Sequence, residues 1–144
     1  MKRDARLQPL SRDHHRALVL ARDARTISEN ADASDGDLND AWSAVRRAFV
    51  TEISPHFQIE EETLLPAMLE AGEEALVRRT LEDHAAILGC VSDREGPLRG
   101  RLARFGALLQ THVDFEEHEL FERAQEILSP DDLARVEAAS NAQR

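Results

Sequence analysis

Apolar residues recur along this chain at spacings of three and four. Leu98, Leu102, Phe105 and Leu109 form one such stripe, which resumes at Leu120 and Ile127. Others run through Leu7, Leu10, Leu18 and Ala21, through Ala41, Val45, Phe49, Ile53 and Leu64, and through Val77, Leu81, Leu88 and Val91. This period predicts amphipathic helices, and no stretch sustains the alternation of a half-buried strand. Turn-forming residues divide the pattern. A first helix is expected over about 10–27, ending before the polar "SENADASDGD". A second runs from about 38 to 70, where Gly72 stops it, and a third from about 73 into "VSDREGP". A fourth covers about 98–128, and "SPDD" reads as an N-cap serine with proline at the first position of a short fifth helix. Pro55 falls inside the second helix and should kink it. The expected fold is all-α: an antiparallel up-down-up-down four-helix bundle with a short C-terminal helix. It forms a single domain over 1–144, with the core bundle at about 10–128.

Each main stripe is interrupted by a polar residue at a core position. His14 interrupts the first, His56 and Glu60 the second, His84 the third, and His112 and Glu116 the fourth. Two of the interruptions share a motif: "HFQIEEETLL" from His56 and "HVDFEEHELF" from His112 both place glutamates four and five residues after the histidine. Chance predicts about 0.2 such patterns in a chain of this composition. The flanking segments do not match, so the motif is one local solution used twice, not a tandem duplication. Residues i and i+4 lie on one helical face, which turns Glu60 and Glu116 inward with their histidines and leaves Glu61, Glu62 and Glu117 on the solvated side. Counted from the helix ends, the four histidines fall within about one turn of a common level.

Composition narrows the possibilities. A net charge of −10 and a charged fraction of 32 % argue against nucleic acid or an anionic membrane as partner. The apolar run "ALVLA" is too short to span a bilayer, and the N-terminus lacks the apolar core of a secretory signal. One cysteine, Cys90, cannot form an internal disulfide, so the cytoplasm is the expected compartment and Cys90 reads as a small core residue. His118 reads as exposed and Thr80 as a core-edge residue. His15 is either a neighbour of the site or the first-helix ligand in place of His14. A single inward histidine is ordinarily a hydrogen-bonded core residue. Four histidines and two glutamates buried together cost several kcal/mol apiece without compensation, and no inward Lys or Arg supplies it. A bound metal does. Six nitrogen and oxygen donors exceed a structural zinc site and suit iron, manganese or zinc in a carboxylate-bridged pair. The Glu-x-x-His spacing of ferritin-like bundles is absent, because Ile53, Leu81 and Leu109 occupy those places.

The set "DHH" at 13–15, "HFQIEEETLLP", "EDH" at 82–84 and "HVDFEEHELF" resembles the hemerythrin-like, or HHE cation-binding, family over about residues 10–128. The resemblance implies an antiparallel four-helix bundle around two non-haem iron ions, joined by carboxylates and an oxo or hydroxo group. Carried over by position, it implies His14 or His15, His56, Glu60, His84, His112 and Glu116 as ligands, with Glu60 and Glu116 as bridges. Zinc or manganese are possible substitutes. The chain departs from the oxygen-carrying branch, which has a further histidine where Thr80 stands and its last carboxylate five residues after the histidine. It is more similar to bacterial members linked to nitric oxide, oxidative stress and iron–sulfur repair. Three functions follow: binding or sensing O2, NO or a related small ligand; a stress enzyme that reduces peroxide or NO or supplies iron for repair; or a metal-stabilised interaction module. The first is favoured, and a sensor would need a separate protein partner.

Overall fold

The computed structural model describes residues 2–143. Helix α1 spans Gln8–Glu29. Helix α2 runs without a break over residues 35–70; its α-helical parts are Asp35–Ala48, Ser54–Ile59 and Leu65–Glu70, joined by π-helical turns at Phe49–Ile53 and Glu60–Leu64. Helix α3 is Glu74–Ser92. Helix α4 covers residues 98–127, with a π-helical turn at Glu116–Leu120 between Leu98–Phe115 and Phe121–Ile127. Helix α5 is Pro130–Ala142. The all-α bundle expected from the pattern is what forms.

Local chemistry sets the ends. Ser34 and Asp37 form a reciprocal capping box, which starts α2 at Asp35, three residues before the expected Leu38. Gly72 takes φ +93°, letting the Gly72 and Glu73 amides close on the Leu69 and Met68 carbonyls and end α2. Ser129 accepts the Asp132 amide with Pro130 in the first turn, as its sequence indicates. Pro55 does not interrupt α2, which stays continuous through it. The turn before it widens, so that the Ser54 amide bonds the Phe49 carbonyl, and the proline enters in the first turn of the next α-helical part. Pro66 follows the second π-helical turn at the same offset. There its missing N–H costs little.

The core has two apolar clusters. One gathers Leu7, Leu10, Leu64, Met68, Leu120 and Phe121 and is closed by Leu133 and Val136 of α5. The other gathers Ala21, Trp42, Val45, Ile87, Leu102 and Phe105. The histidine level lies between them. On α3 the buried stripe is Val77, Thr80, His84, Ile87 and Cys90, whereas Leu81 and Leu88 are 43 % and 51 % exposed. The expected stripe through Leu81 and Leu88 was therefore rotated by one residue. Helices α1 and α4 make the most extensive contact. Gly106 permits it: a Cβ there would stand 2.7 Å from the Ala21 carbonyl oxygen and 2.5 Å from Arg25 Cγ.

Candidate metal centre

The four inward histidines come together. His14 and His56 ring centroids are 5.0 Å apart, and those of His84 and His112 are 4.9 Å apart. Glu60 and Glu116 lie among them with no exposed surface. His14 Nε2 is 2.9 Å from Glu116 Oε1, and His112 Nε2 is 3.2 Å from Glu116 Oε2. His56 Nε2 and His84 Nε2 each lie 3.1 Å from a different oxygen of Glu60. Each carboxylate thus presents one oxygen to the His14–His56 side and the other to the His84–His112 side. His15, the alternative on α1, is exposed and stands outside this cluster. His118 is exposed as well, its Nδ1 on the Asp114 carbonyl.

Every imidazole is held from behind. His14 Nδ1 meets Glu117 at 2.7 Å, His56 Nδ1 meets Asp13 at 3.0 Å, His84 Nδ1 meets Glu61 at 2.7 Å, and His112 Nδ1 meets Asp83 at 2.9 Å. A carboxylate only accepts, so each Nδ1 carries a proton, and each Nε2 faces inward, where it can give its lone pair to a metal once its own proton is displaced. This corrects the expectation that Glu61 and Glu117 are merely solvated: both are partly exposed, and both orient a histidine of the neighbouring helix. Asp13 and Asp83 entered the sequence reading only within "DHH" and "EDH", with no role given to either. The signal was present in the two Asp-His pairs, 13–14 and 83–84, which match each other as the two His-x-x-x-Glu-Glu motifs do. Cations stand outside these carboxylates, with Arg16 Nη2 3.0 Å from Asp13, Arg79 Nε 3.1 Å from Asp83 and Arg3 Nη2 3.5 Å from Glu117. Phe121 stacks on His14 and Phe57 on His84, fixing those rings and excluding water.

The inner atoms fit a cation. His56, His84 and His112 Nε2, both Glu60 oxygens and Glu116 Oε2 are buried and have no aligned hydrogen bond, although they crowd together. Buried polar atoms in a folded core are ordinarily paired. Two overlapping donor groups result, His14–His56–Glu60–Glu116 and Glu60–His84–His112–Glu116, each with one atom per residue within 4.8 Å of the others. Without a metal, protons take over the role of positive charge. Burial by itself would lower the imidazoles, but the close Glu116 and Glu60 carboxylates prevail and raise His84 to about 10. At His112 the Glu116 charge and the Asp83 hydrogen bond likewise outweigh burial and raise it to about 9. His14 and His56 are raised for the same kind of reason. Burial would raise Glu116, yet the surrounding imidazoles hold it well below the usual carboxylate range.

Thr80 is fully buried beside His84, with its hydroxyl donated to the Leu76 carbonyl at 2.8 Å. It leaves two imidazoles on each side. Residues 7–124 match the family described as the hemerythrin HHE cation binding domain. The chain belongs to the hemerythrin family. Among curated proteins and among solved structures, none matches it. An HHE domain binds metal cations, and the paired His and Glu groups of this hemerythrin-like bundle could hold them.

Proposed function

We propose that the protein holds two non-haem iron ions and binds or senses O2, NO or a related small ligand. His14 and His56 serve one position, His84 and His112 the other, and Glu60 and Glu116 span both. The observation that carries this reading is the pair of donor groups sharing both glutamates. Nitrogen and oxygen donors without thiolate suit iron, with manganese or zinc as substitutes. When bound, iron supplies electrons and coordination positions that the protein leaves unfilled.

The chain's own residues set access. A cavity of about 30 Å³ adjoins His14, His56 and His112 between α1, α2 and α4, with apolar walls from Ala17, Leu20, Leu109 and Val113. That is room enough for a water-sized or diatomic molecule. Asp13, Arg16 and Glu52 form its rim, with Arg16 Nε 3.0 Å from Glu52. No described helix is long and apolar enough to cross a membrane; the cytoplasm is proposed as the compartment on the single cysteine alone.

The test is optical spectroscopy of iron-loaded, anaerobically reduced protein before and after O2, NO and hydrogen peroxide. Saturable spectral changes reversed by removing O2 or NO are expected. Sustained consumption of peroxide or NO would favour the stress-enzyme reading, which the same cavity serves. No response to any of the three would leave a metal-stabilised interaction module.

A further inference from the structure

A groove follows the seam of α2 and α3 on the face away from the cavity rim. At one end, about 890 Å³ of open volume is bordered by Arg46, Arg47, Arg94 and Arg101, with Asp93 the single acid among its lining residues. The other end is bordered by Glu61 and Glu62. Phe49 and Leu88 line both ends, so the two form one continuous surface. Its middle is apolar and exposed: Val50 is 69 % accessible, and Leu81 and Leu88 are the residues turned outward from the expected α3 stripe. Exposed aliphatic side chains grouped this way, in a chain as charged as this one, mark a contact surface more often than isolated ones do.

The charges on this face are arranged about a centre. Arg46 and Arg47 precede Ser54 by eight and seven residues, and Glu61 and Glu62 follow it by seven and eight. At the helical rise each pair lies about 11 Å from Ser54. We propose that this face docks on the same face of a second copy of the chain, about a two-fold axis that crosses α2 at the level of Ser54. Such an axis sets α2 antiparallel on α2 of the other copy. Arg46 and Arg47 of each copy then meet Glu61 and Glu62 of the other, with Val50 and Leu88 of both copies between them. An axis along the groove instead brings like charges together. A two-fold interface requires a self-complementary patch, and this patch is one. An acidic partner protein fits less well, because it would lay carboxylates against Glu61 and Glu62.

Sedimentation equilibrium of the full chain tests the proposal without reference to the metal. Wild type is expected at twice the 16.2 kDa chain mass at micromolar concentration. Arg47→Glu and Glu62→Arg should each weaken the dimer about tenfold or more, since like charges then face each other across it. An equimolar mixture of the two variants should dimerise again, because each carries the charge that the other lacks. Leu88→Glu should give a monomer with unchanged helix content by circular dichroism, its exposed position making unfolding no explanation. A wild type that stays monomeric, a dimer indifferent to all three changes, or variants that fail to recombine would overturn the proposal.

Discussion

Asp83 touches none of the inner donors, yet it decides which nitrogen of His112 carries the proton. Glu117 does the same for His14. Removing the carboxylate charge behind a ligating imidazole lowers its basicity and loosens its orientation. Asp83→Asn and Glu117→Gln should therefore weaken metal binding about 10–100-fold, measured by competition with a chelator of known affinity. Glu116→Gln should do more, because both donor groups lose an oxygen charge at once; unchanged loading in that variant would contradict the shared-carboxylate arrangement. The sequence placed Glu117 on the solvated side, where such a change would be nearly silent, and its contact with His14 withdraws that expectation. The inner six residues were legible because each interrupts an apolar stripe. The outer four were not, since a carboxylate on a partly exposed face looks like any solvated acid until its cross-helix neighbour is known.

The same residues give a pH signature. In the folded, metal-free protein the neighbouring carboxylates outweigh burial and push His84 up to about 10 and His112 to about 9, above the unfolded imidazole value of about 6.5. Their contribution to stability is thus fully present below that unfolded value and is lost as pH rises through 9–10. The melting temperature of metal-free protein should fall across that window. Metal must displace these protons, so its apparent affinity should increase with pH up to about 9–10 and level off above, and binding at neutral pH should release protons. Affinity independent of pH would mean that the imidazoles are already free.

At the scale of the helix, number, order and caps followed from periodicity and turn residues. The three π-helical turns did not, because no residue preference marks them and they leave the apolar period nearly intact. Two begin at Glu60 and Glu116, whose carbonyls accept the Leu65 and Phe121 amides. Such turns are frequent at functional sites, where they re-aim a side chain. The one-residue error on α3 has a simpler cause: Thr80 and Cys90 are buried while Leu81 and Leu88 are not, and hydropathy alone ranks them the other way. Gly106 offers the element-scale test. A methyl there presses on the Ala21 carbonyl, and backbone cannot yield without moving α1 away from α4. Overpacking costs about 1–3 kcal/mol, and the better helix propensity of alanine returns at most about 1. Gly106→Ala should lower stability in denaturant titration by about 1–2 kcal/mol; a stabilised variant would show that the two helices part freely.

For the whole molecule, the polar level between two apolar clusters makes folding and metal binding one linked equilibrium. A ligand held by the native state alone adds about 2.7 kcal/mol at a hundredfold excess over its dissociation constant. Iron should accordingly raise the melting temperature by about 5–10 °C in a chain of this size. His56→Ala or His112→Ala should remove most of that increment. Metal-free and metal-loaded protein melting together would mean that the buried imidazoles serve packing alone.

The central claim is that two donor groups share Glu60 and Glu116, so that one chain holds a pair of metals. The most direct measurement is elemental analysis of protein loaded anaerobically with ferrous iron and freed of excess. The account predicts about two irons per chain in the wild type and a marked loss of both in Glu116→Gln. A single bound metal, or none, would contradict it.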